Sequence, residues 1–222
     1  MQFVYHEAAG KTPLHVDLRE YEHLFKVRRM GIGSAMFWRN LHDNLAYEYE
    51  IAQIGKKEAV LELLSAKEAP LLPLKSLHVG WCVIDPKIIE KTLPMLNELG
   101  VERISFVYAE FSQKSYKLDF ERMKRILINS SQQCGRTRLM VLEVYHSLKE
   151  YLEAYPQSVV IDFSERKLSS KDEVQTFLIG PEGGFSEKER KMLSTHTVLG
   201  LTCNAILRSE TAVVSVAAKI LA

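Results

Sequence analysis

Two short motifs near the carboxyl end of the chain carry the residues that could do chemistry. The first reads IGPEGGFS (residues 179–186), and the second reads ILRSETA (residues 206–212). The first motif continues an apolar run at 177–179, and a second such run, at 198–199, ends at Gly200 shortly before the second motif. Each motif leads into a helix pattern. Strand–glycine–helix junctions of this kind bind ligands in α/β proteins, because glycine lets the backbone approach the ligand closely.

The glycine loop at 180–184 does not match a phosphate-binding motif. A Walker motif needs Lys and then Ser or Thr after its second glycine, and here Phe185 follows the glycines. The dinucleotide motif fails as well, since the glycine spacing differs. Two interpretations stay open: a loop whose peptide groups bind a purine or an amino-acid group, and a plain tight turn, which the glycines alone favour. Ser186 and Glu189 are spaced as a capping box and predict a helix from Glu187.

Composition sets broad limits on the function. The 222 residues are 46% hydrophobic and 26% charged, which is typical of a soluble globular protein. A formal net charge of +1 argues against a protein that coats nucleic acid through bulk attraction, although it allows a local basic patch. The amino end lacks a signal-peptide pattern, and no apolar run is long enough for a membrane span. We therefore expect a cytoplasmic protein.

The cysteines and histidines do not indicate a metal site. Cys82, Cys134 and Cys203 are widely spaced and form no ligand pairs, so we expect free buried thiols in a reducing compartment. None of the seven histidines falls into a ligand pattern with another. We predict that no metal is bound.

The chain reads as two domains, 1–70 and 71–222. The first is mostly β, with strands at 34–39, 45–54 and 56–64, and short strands with polar turns suggest a small barrel. A short helix at 19–27 should carry Leu24 and Val27 inward. Prolines at 70 and 73 mark the linker.

The second domain has an α/β pattern. Strands are predicted at 77–84, 101–108, 159–163 and 177–179, and the first two should be parallel neighbours. Pro86 suits a first helical turn, and Gly100 should end that helix. Another helix is predicted at 120–133 with a cap at Gly135, a loose polar segment at 164–172, and a last helix from about Ser209. The apolar stripe of that last helix fits either core packing or a subunit interface: Ala212, Val213, Val216, Ala217 and Ile220.

The motifs in combination resemble the RsmE family of ribosomal RNA methyltransferases, which belongs to the SPOUT superfamily. IGPEGGF, then Leu199-Gly200, then ILRSETA stand in the family's order, and QQCGR (132–136) stands where the family has EQCGR or a close variant. Matching features reach back to about His23. The resemblance implies an α/β fold: a carboxyl-terminal SPOUT trefoil-knot domain at 71–222 and a small PUA-like RNA-binding β-barrel at 1–70.

The resemblance also implies an activity: S-adenosylmethionine-dependent methylation of the N3 atom of a uridine in 16S ribosomal RNA of the small subunit. It implies a homodimer through the last helix. Alternatives are a SPOUT enzyme for another RNA, such as transfer RNA, and a noncatalytic RNA-binding assembly factor. The implied cofactor-binding residues are Leu178, Gly180, Glu182, Gly183, Leu199, Gly200, Leu201, Ile206 and Leu207.

Three residues are candidates for catalysis. In the reaction that the resemblance implies, Arg208 and Glu210 are placed to remove the N3 proton or to orient the reactants, although a first-turn glutamate also complements a helix dipole. Arg136 resembles a family position that grips RNA or the target base, whereas the residues alone favour a helix-end charge. Gln132 replaces the family's glutamate, and GLTCNA (200–205) stands where family members usually carry proline or arginine.

Overall fold

The computed structural model describes residues 2–169 and 171–222, which form two compact units. The first unit comprises Met1–Leu72 and Ile128–Leu139, and the second comprises Pro73–Leu127 and Met140–Ala222. The sequence predicted one boundary, at residue 70. The chain crosses between the units again because the helix Phe120–Cys134 begins in the second and ends in the first. Met1 of the predicted first domain and Ser170 of the predicted polar segment lie outside the described residues.

The first unit is built on a five-stranded sheet with the order β1-β3-β4-β5-β2. Its strands are β1 Val4–Tyr5, β2 Leu14–Asp17, β3 Ala35–Arg39, β4 Leu45–Ile54 and β5 Glu58–Glu68. β1 pairs with β3 in parallel, and the other pairs are antiparallel. The predicted strands are confirmed as β3, β4 and β5, whereas the two edge strands were missed. Alternate residues of β4 point into the core, as expected, and Tyr49 and Ile51 are buried there beside Trp38.

The predicted helix at 19–27 is a single π-helical turn, His23–Val27. Leu24 is buried as expected, but Val27 is 77% exposed, so its inward placement was wrong. The Arg28 N–H donates to the His23 carbonyl at 3.0 Å, a bond to the fifth residue back. A turn closed in this way is wider than an α-turn, so Leu24 and Val27 do not share a face.

The second unit is a six-stranded sheet in which every pair is parallel, with the order β11-β9-β10-β6-β7-β8. Its strands are β6 His78–Cys82, β7 Arg103–Val107, β8 Val141–Tyr145, β9 Val159–Ile161, β10 Thr176–Ile179 and β11 Val198–Leu199. Its helices are α1 Pro86–Leu99, α2 Phe120–Cys134, α3 Leu148–Ala154, α4 Glu187–Leu193 and α5 Ser209–Leu221. β8 and α3 were not predicted. The other elements lie within a few residues of the predicted ranges.

Helix ends follow the local signals of the sequence. The Asp85 side chain caps α1 by accepting from the Lys87 N–H, and Pro86 occupies the first helical position. Gly100 ends α1 with φ 98°, a left-handed conformation that suits glycine. The predicted capping box of Ser186 and Glu189 is present at the start of α4. These caps fix where each strand–loop–helix junction turns.

The apolar stripe of α5 belongs to the core of the second unit. Val213, Val216 and Ala217 are fully buried within the chain, and α5 packs on α1 and β10. The same stripe is therefore not available as a subunit interface. The cysteines carry thiols rather than disulfides. The expected burial holds for Cys82, whereas Cys134 is half-buried and Cys203 is exposed.

Candidate functional site

The two motifs meet at the carboxyl edge of the parallel sheet. β10 leads into Gly180 and β11 leads into Gly200, with β9 between them. The two loops therefore leave the sheet about two strand spacings apart, roughly 10 Å. Asp162 follows β9 in this gap, and its Oδ2 pairs with the Arg190 guanidinium at 3.0 Å. The gap is the candidate site, since ligands of open α/β sheets bind beyond the carboxyl ends of the strands.

The glycines of the first motif are required by the packing of their own loop. The Gly184 N–H donates to the Pro181 carbonyl at 2.9 Å, and Gly184 has φ 70°, in the left-handed region. A Cβ on Gly180 would lie 3.0 Å from the Phe185 ring. Gly183 is exposed, as is Glu182. The loop is a tight turn whose outer side faces solvent.

Ser209 joins the second motif to the first. Its Oγ donates to the Gly180 carbonyl at 3.0 Å and accepts from the Trp81 indole N–H at 3.0 Å. This pair of bonds holds the first turn of α5 beside the glycine loop. The structure therefore places Arg208, which is exposed, and Glu210, which is half-buried, on either side of the residue that contacts the glycine loop.

Glu210 has a buried oxygen that accepts no protein hydrogen bond. No group within residues 2–169 and 171–222 donates to its Oε2. Burying a carboxylate oxygen without a donor is costly, so native structures nearly always supply one. A bound ligand with an N–H or ammonium group would satisfy this atom. The sequence indicated the position of Glu210 but could not show that its carboxylate lacks a partner.

The loop after β11 is held by the segment that follows β9. The Gly200 N–H donates to the Arg166 carbonyl, and the Gly200 carbonyl accepts from the Leu168 N–H, both at 2.8 Å. A Cβ on Gly200 would lie 2.6 Å from the Ser164 carbonyl oxygen, so two backbones touch here. Both peptide groups of Gly200 are thus used within the chain. Gly200 matters here because it has no side chain, which lets the two backbone segments lie this close.

Further along this loop, backbone donors remain available for a ligand. In the described part of the chain, no protein acceptor takes the N–H groups of Leu201, Ile206 or Leu207. Ile206 is 82% exposed, and the two leucines are half-buried. Free N–H groups beside apolar side chains can bind the edge and face of a planar heterocycle.

Leu178 and Leu199 lie behind the site rather than on it. They are 0% and 1% exposed, and Leu178 packs with Cys82 and Phe185 in the core. Burial and the nearby Glu189 carboxylate raise the pKa of the Cys82 thiol well above its usual value. This cysteine is therefore a protonated core residue and no nucleophile.

Glu189 makes a long-range contact that the sequence did not reveal. Its Oε2 accepts from the Ser186 N–H at 3.0 Å, as the capping box predicts, while its Oε1 accepts from the Glu110 N–H at 2.8 Å. The Ser186 hydroxyl in turn donates to Glu110 Oε2 at 2.5 Å. Glu189 thereby ties the glycine loop to the chain that leaves β7. Nothing in the spacing of these residues signals that contact.

Arg136 belongs to the first unit, whereas the two motifs belong to the second. It is 5% exposed, and its Nε donates to the Arg138 carbonyl at 2.9 Å. Arg138, in the loop after α2, is exposed, and its Nε donates to Asn44 Oδ1 at 3.1 Å. A cavity of about 390 Å³ in the same unit is lined by Phe37, Arg39, Lys67 and Gly135, among others, and contains no residue of IGPEGGFS or ILRSETA.

No group of three or more His, Cys, Asp or Glu side chains in residues 2–169 and 171–222 could hold a metal ion. No helix in the part of the chain that the structure describes is long and apolar enough to span a membrane.

Comparison with known proteins gives consistent results. Residues 70–221 match the RNA methyltransferase domain family. The chain is 43% identical over 221 residues to the ribosomal RNA small subunit methyltransferase E of Helicobacter pylori strain 26695, covering 98% of each. It is 26% identical to the protein of that name from Aquifex aeolicus, with 79% of this chain and 81% of the relative covered.

Two solved structures have the same fold over nearly the whole chain. One is the ribosomal RNA small subunit methyltransferase E from Neisseria gonorrhoeae, bound to S-adenosyl methionine. It has a TM-score of 0.79 and 20% identity, with 98% of this chain and 95% of that chain covered. The other is Lpg2936 from Legionella pneumophila, in complex with the bound cofactor SAM, with a TM-score of 0.80, 24% identity and coverages of 96% and 95%.

Proposed function

Because the chain belongs to the ribosomal RNA small subunit methyltransferase E family, we propose that it methylates the N3 atom of a uridine in 16S ribosomal RNA with S-adenosylmethionine. The observation that carries the proposal beyond family membership is the buried Oε2 of Glu210, which has no donor among the described residues. It lies one residue from Ser209, which is bonded to the glycine loop. The site thus contains a buried acceptor for which the described residues supply no donor.

The residues present fit this cofactor. The exposed glycine turn would take the polar amino-acid part, and the loop with Leu201, Ile206 and Leu207 would take the adenine through its N–H groups and apolar side chains. Gly180 and Gly200 would keep both loops free of side chains. Leu178 and Leu199 would form the floor on which these loops rest, because both are buried.

S-adenosylmethionine supplies a methyl group on a sulfonium, and the transfer is an in-line displacement. The chain's task is to position the two reactants. A neutral uridine N3 is a poor nucleophile, so its proton must be accepted during the transfer. Glu210 is the acceptor that we propose, and the exposed Arg208 guanidinium would offset the charge that develops on the uracil. Buried Arg136 would order the loop after α2 and so present Arg138 to RNA.

We also propose the architecture that the family implies. The five-stranded sheet of the first unit would be the PUA-like RNA-binding domain, and the chain around α5 would form the trefoil knot. A homodimer would use the half-buried face of α5, which carries Val214, Ala218 and Leu221. These apolar side chains lie beside the core stripe and are not covered by it. The protein would act in the cytoplasm, where small subunits are assembled.

Two measurements test the function. Calorimetric titration should show S-adenosylmethionine binding, and its absence would favour a noncatalytic assembly factor. Mass spectrometry of nucleosides from 16S ribosomal RNA should show 3-methyluridine in wild-type cells, none in cells lacking the protein, and its return on complementation. Full 3-methyluridine in the deletion strain would refute the ribosomal target, and transfer RNA would be examined next.

A further inference from the structure

The turn that follows β7 carries an exposed aromatic residue at the rim of the site. This turn, residues 109–112, is closed by the Ser112 N–H donating to the Ala109 carbonyl at 3.1 Å and by the Ala109 N–H donating to Ser112 Oγ at 3.3 Å. Phe111 lies in it and is 54% exposed. β7 ends at the same edge of the sheet as β10, because both strands are parallel to β6.

Phe111 lies against the glycine loop. A Cβ built on Gly183 would be 3.2 Å from the Phe111 Cβ and 3.7 Å from two of its ring atoms. The rest of the ring is open to solvent. An aromatic ring that is packed at its base and exposed on its remaining surface presents apolar area to any ligand that approaches the glycine turn.

The turn that carries the Phe111 ring is held in place by hydrogen bonds of the preceding residue. Glu110, its neighbour, is bonded through its N–H to the Glu189 carboxylate and through its own carboxylate to the Ser186 hydroxyl. Glu189 is 4% exposed and spans both segments. The turn therefore has a fixed position relative to the glycine loop. A preorganised aromatic surface loses little conformational entropy when a ligand covers it.

Cations follow the turn. Lys114 and Lys117 are exposed, and the segment that carries them folds back on the sheet because the Tyr108 hydroxyl donates to the Tyr116 carbonyl at 2.6 Å. An exposed ring followed by exposed lysines in the same segment offers the two kinds of contact that single-stranded RNA takes, a base face and phosphate charge.

We infer that Phe111 is a stacking platform for a nucleobase of the RNA substrate, positioned by Glu189. The inference rests on the proposed function. A base is the fitting occupant because the exposed ring offers a flat apolar face for stacking, whereas the polar amino-acid part of the cofactor, which we place at the glycine turn, has no such face. A uridine that is extruded for methylation also leaves its stacking neighbours, and RNA-binding proteins stack such bases on aromatic side chains.

The test is Phe111→Ala, which keeps the Cβ that touches Gly183 and removes only the ring. Small ribosomal subunits from cells lacking the enzyme serve as substrate, with radiolabelled S-adenosylmethionine as methyl donor. We expect KM for the subunits to rise about tenfold, the typical effect of losing one base–aromatic stack, with kcat and the cofactor Kd within about twofold of wild type. Phe111→Tyr, which keeps a ring face, should behave like wild type.

Met95→Ala is the matched control. Met95 is also an exposed apolar residue, at 47%, and it lies near the carboxyl end of α1, away from the motif loops. Its removal should leave KM unchanged. Thermal unfolding of each variant checks that all remain folded.

The outcomes separate the two proposals. If wild-type protein neither binds S-adenosylmethionine nor methylates the subunits, the proposed function fails. If wild-type protein is active and Phe111→Ala has a normal KM for the subunits, the stacking inference fails alone. A weakened cofactor Kd with an unchanged KM for the subunits would also overturn it, because the ring would then be part of the cofactor pocket.

Discussion

The hydroxyl of Ser209 donates to the carbonyl of Gly180 across 29 residues of sequence. The same oxygen accepts the buried Trp81 indole N–H, so one side chain at the start of α5 satisfies two polar groups. This relationship places Arg208 and Glu210 beside the glycine loop. It turns two motifs that are separate in sequence into one site.

Ser209→Ala should destabilise the protein and weaken cofactor binding together. The Gly180 carbonyl and the Trp81 indole each lose a partner, and an unsatisfied buried group costs about 1–3 kcal/mol. Denaturant unfolding should show a loss in this range, and calorimetry should show a raised Kd for S-adenosylmethionine. Ser215→Ala is the control, because the Ser215 hydroxyl bonds the Thr211 carbonyl within α5 itself. An equal loss in both variants would refute a special role for Ser209.

Glu210→Gln tests the unpartnered carboxylate. Glutamine cannot accept a proton, so we expect methylation to fall by about 10²-fold or more, at the low end of what a positioned acid–base group contributes. Folding stability should be unchanged or slightly raised, since a buried charged oxygen is removed. Glu187→Gln makes the same change at an exposed first-turn position of α4 and should leave activity intact. Wild-type rates in Glu210→Gln would exclude Glu210 as the acceptor.

Gly200→Ala tests the close approach of two backbones. The new Cβ would lie 2.6 Å from the Ser164 carbonyl oxygen, and a backbone atom cannot yield as a flexible side chain does. We expect a loss of about 1–3 kcal/mol of stability, typical of overpacking. Gly31→Ala is matched to it, because no atom lies within 4 Å of a Cβ there and its φ is not in the left-handed region. Unfolding curves that shift equally would contradict the packing argument.

His78 should make stability depend on pH. Burial, with a contribution from the Arg103 guanidinium, lowers its pKa to about 4, while the Glu143 carboxylate acts in the opposite sense. As the pH falls below about 6.5, the unfolded chain binds a proton at His78 that the folded chain does not bind. The free energy of unfolding is therefore unaffected by His78 above about pH 6.5 and falls as the pH drops toward 4. We expect a loss of roughly 2 kcal/mol between pH 7.5 and pH 5 from this group.

Urea unfolding at the two pH values measures this effect. In His78→Gln the corresponding part of the pH dependence should vanish, because glutamine does not titrate. His15→Gln should retain it, since His15 lies exposed beside Glu58 and leaves His78 unchanged. If His78→Gln lost as much stability between the two pH values as the wild-type protein does, the lowered pKa of His78 would be refuted.

Two arginine substitutions on α5 distinguish core from interface. Val216 is 0% exposed, so Val216→Arg should unfold the chain by burying an unpaired charge. Ala218 is half-buried on the neighbouring face, so Ala218→Arg should leave a folded protein and abolish the proposed dimer. Light scattering and circular dichroism report mass and fold separately. A dimer that survives Ala218→Arg would place the interface elsewhere.

Much of the second unit could be read from the sequence, because its signals are local. Pro86 and Gly100 mark the ends of α1, and Ser186 with Glu189 marks the start of α4, since caps act within one helical turn. The order of IGPEGGFS and ILRSETA along the chain was enough to indicate the family. β8 and the edge strands of the first unit were missed because they are short, and a few alternating residues occur as often in loops as in strands.

The tertiary structure decided what each motif residue does. Leu178 and Gly200 are both predicted cofactor-binding residues, yet Leu178 lies in the core and Gly200 has both peptide groups bonded within the chain. Arg136 is buried in the first unit, whereas Glu210 belongs to the second. The contacts of Ser209 with Gly180 and of Glu189 with Glu110 join segments 29 and 79 residues apart. Such pairs depend on which strands become neighbours in the sheet, a long-range outcome that no local spacing encodes.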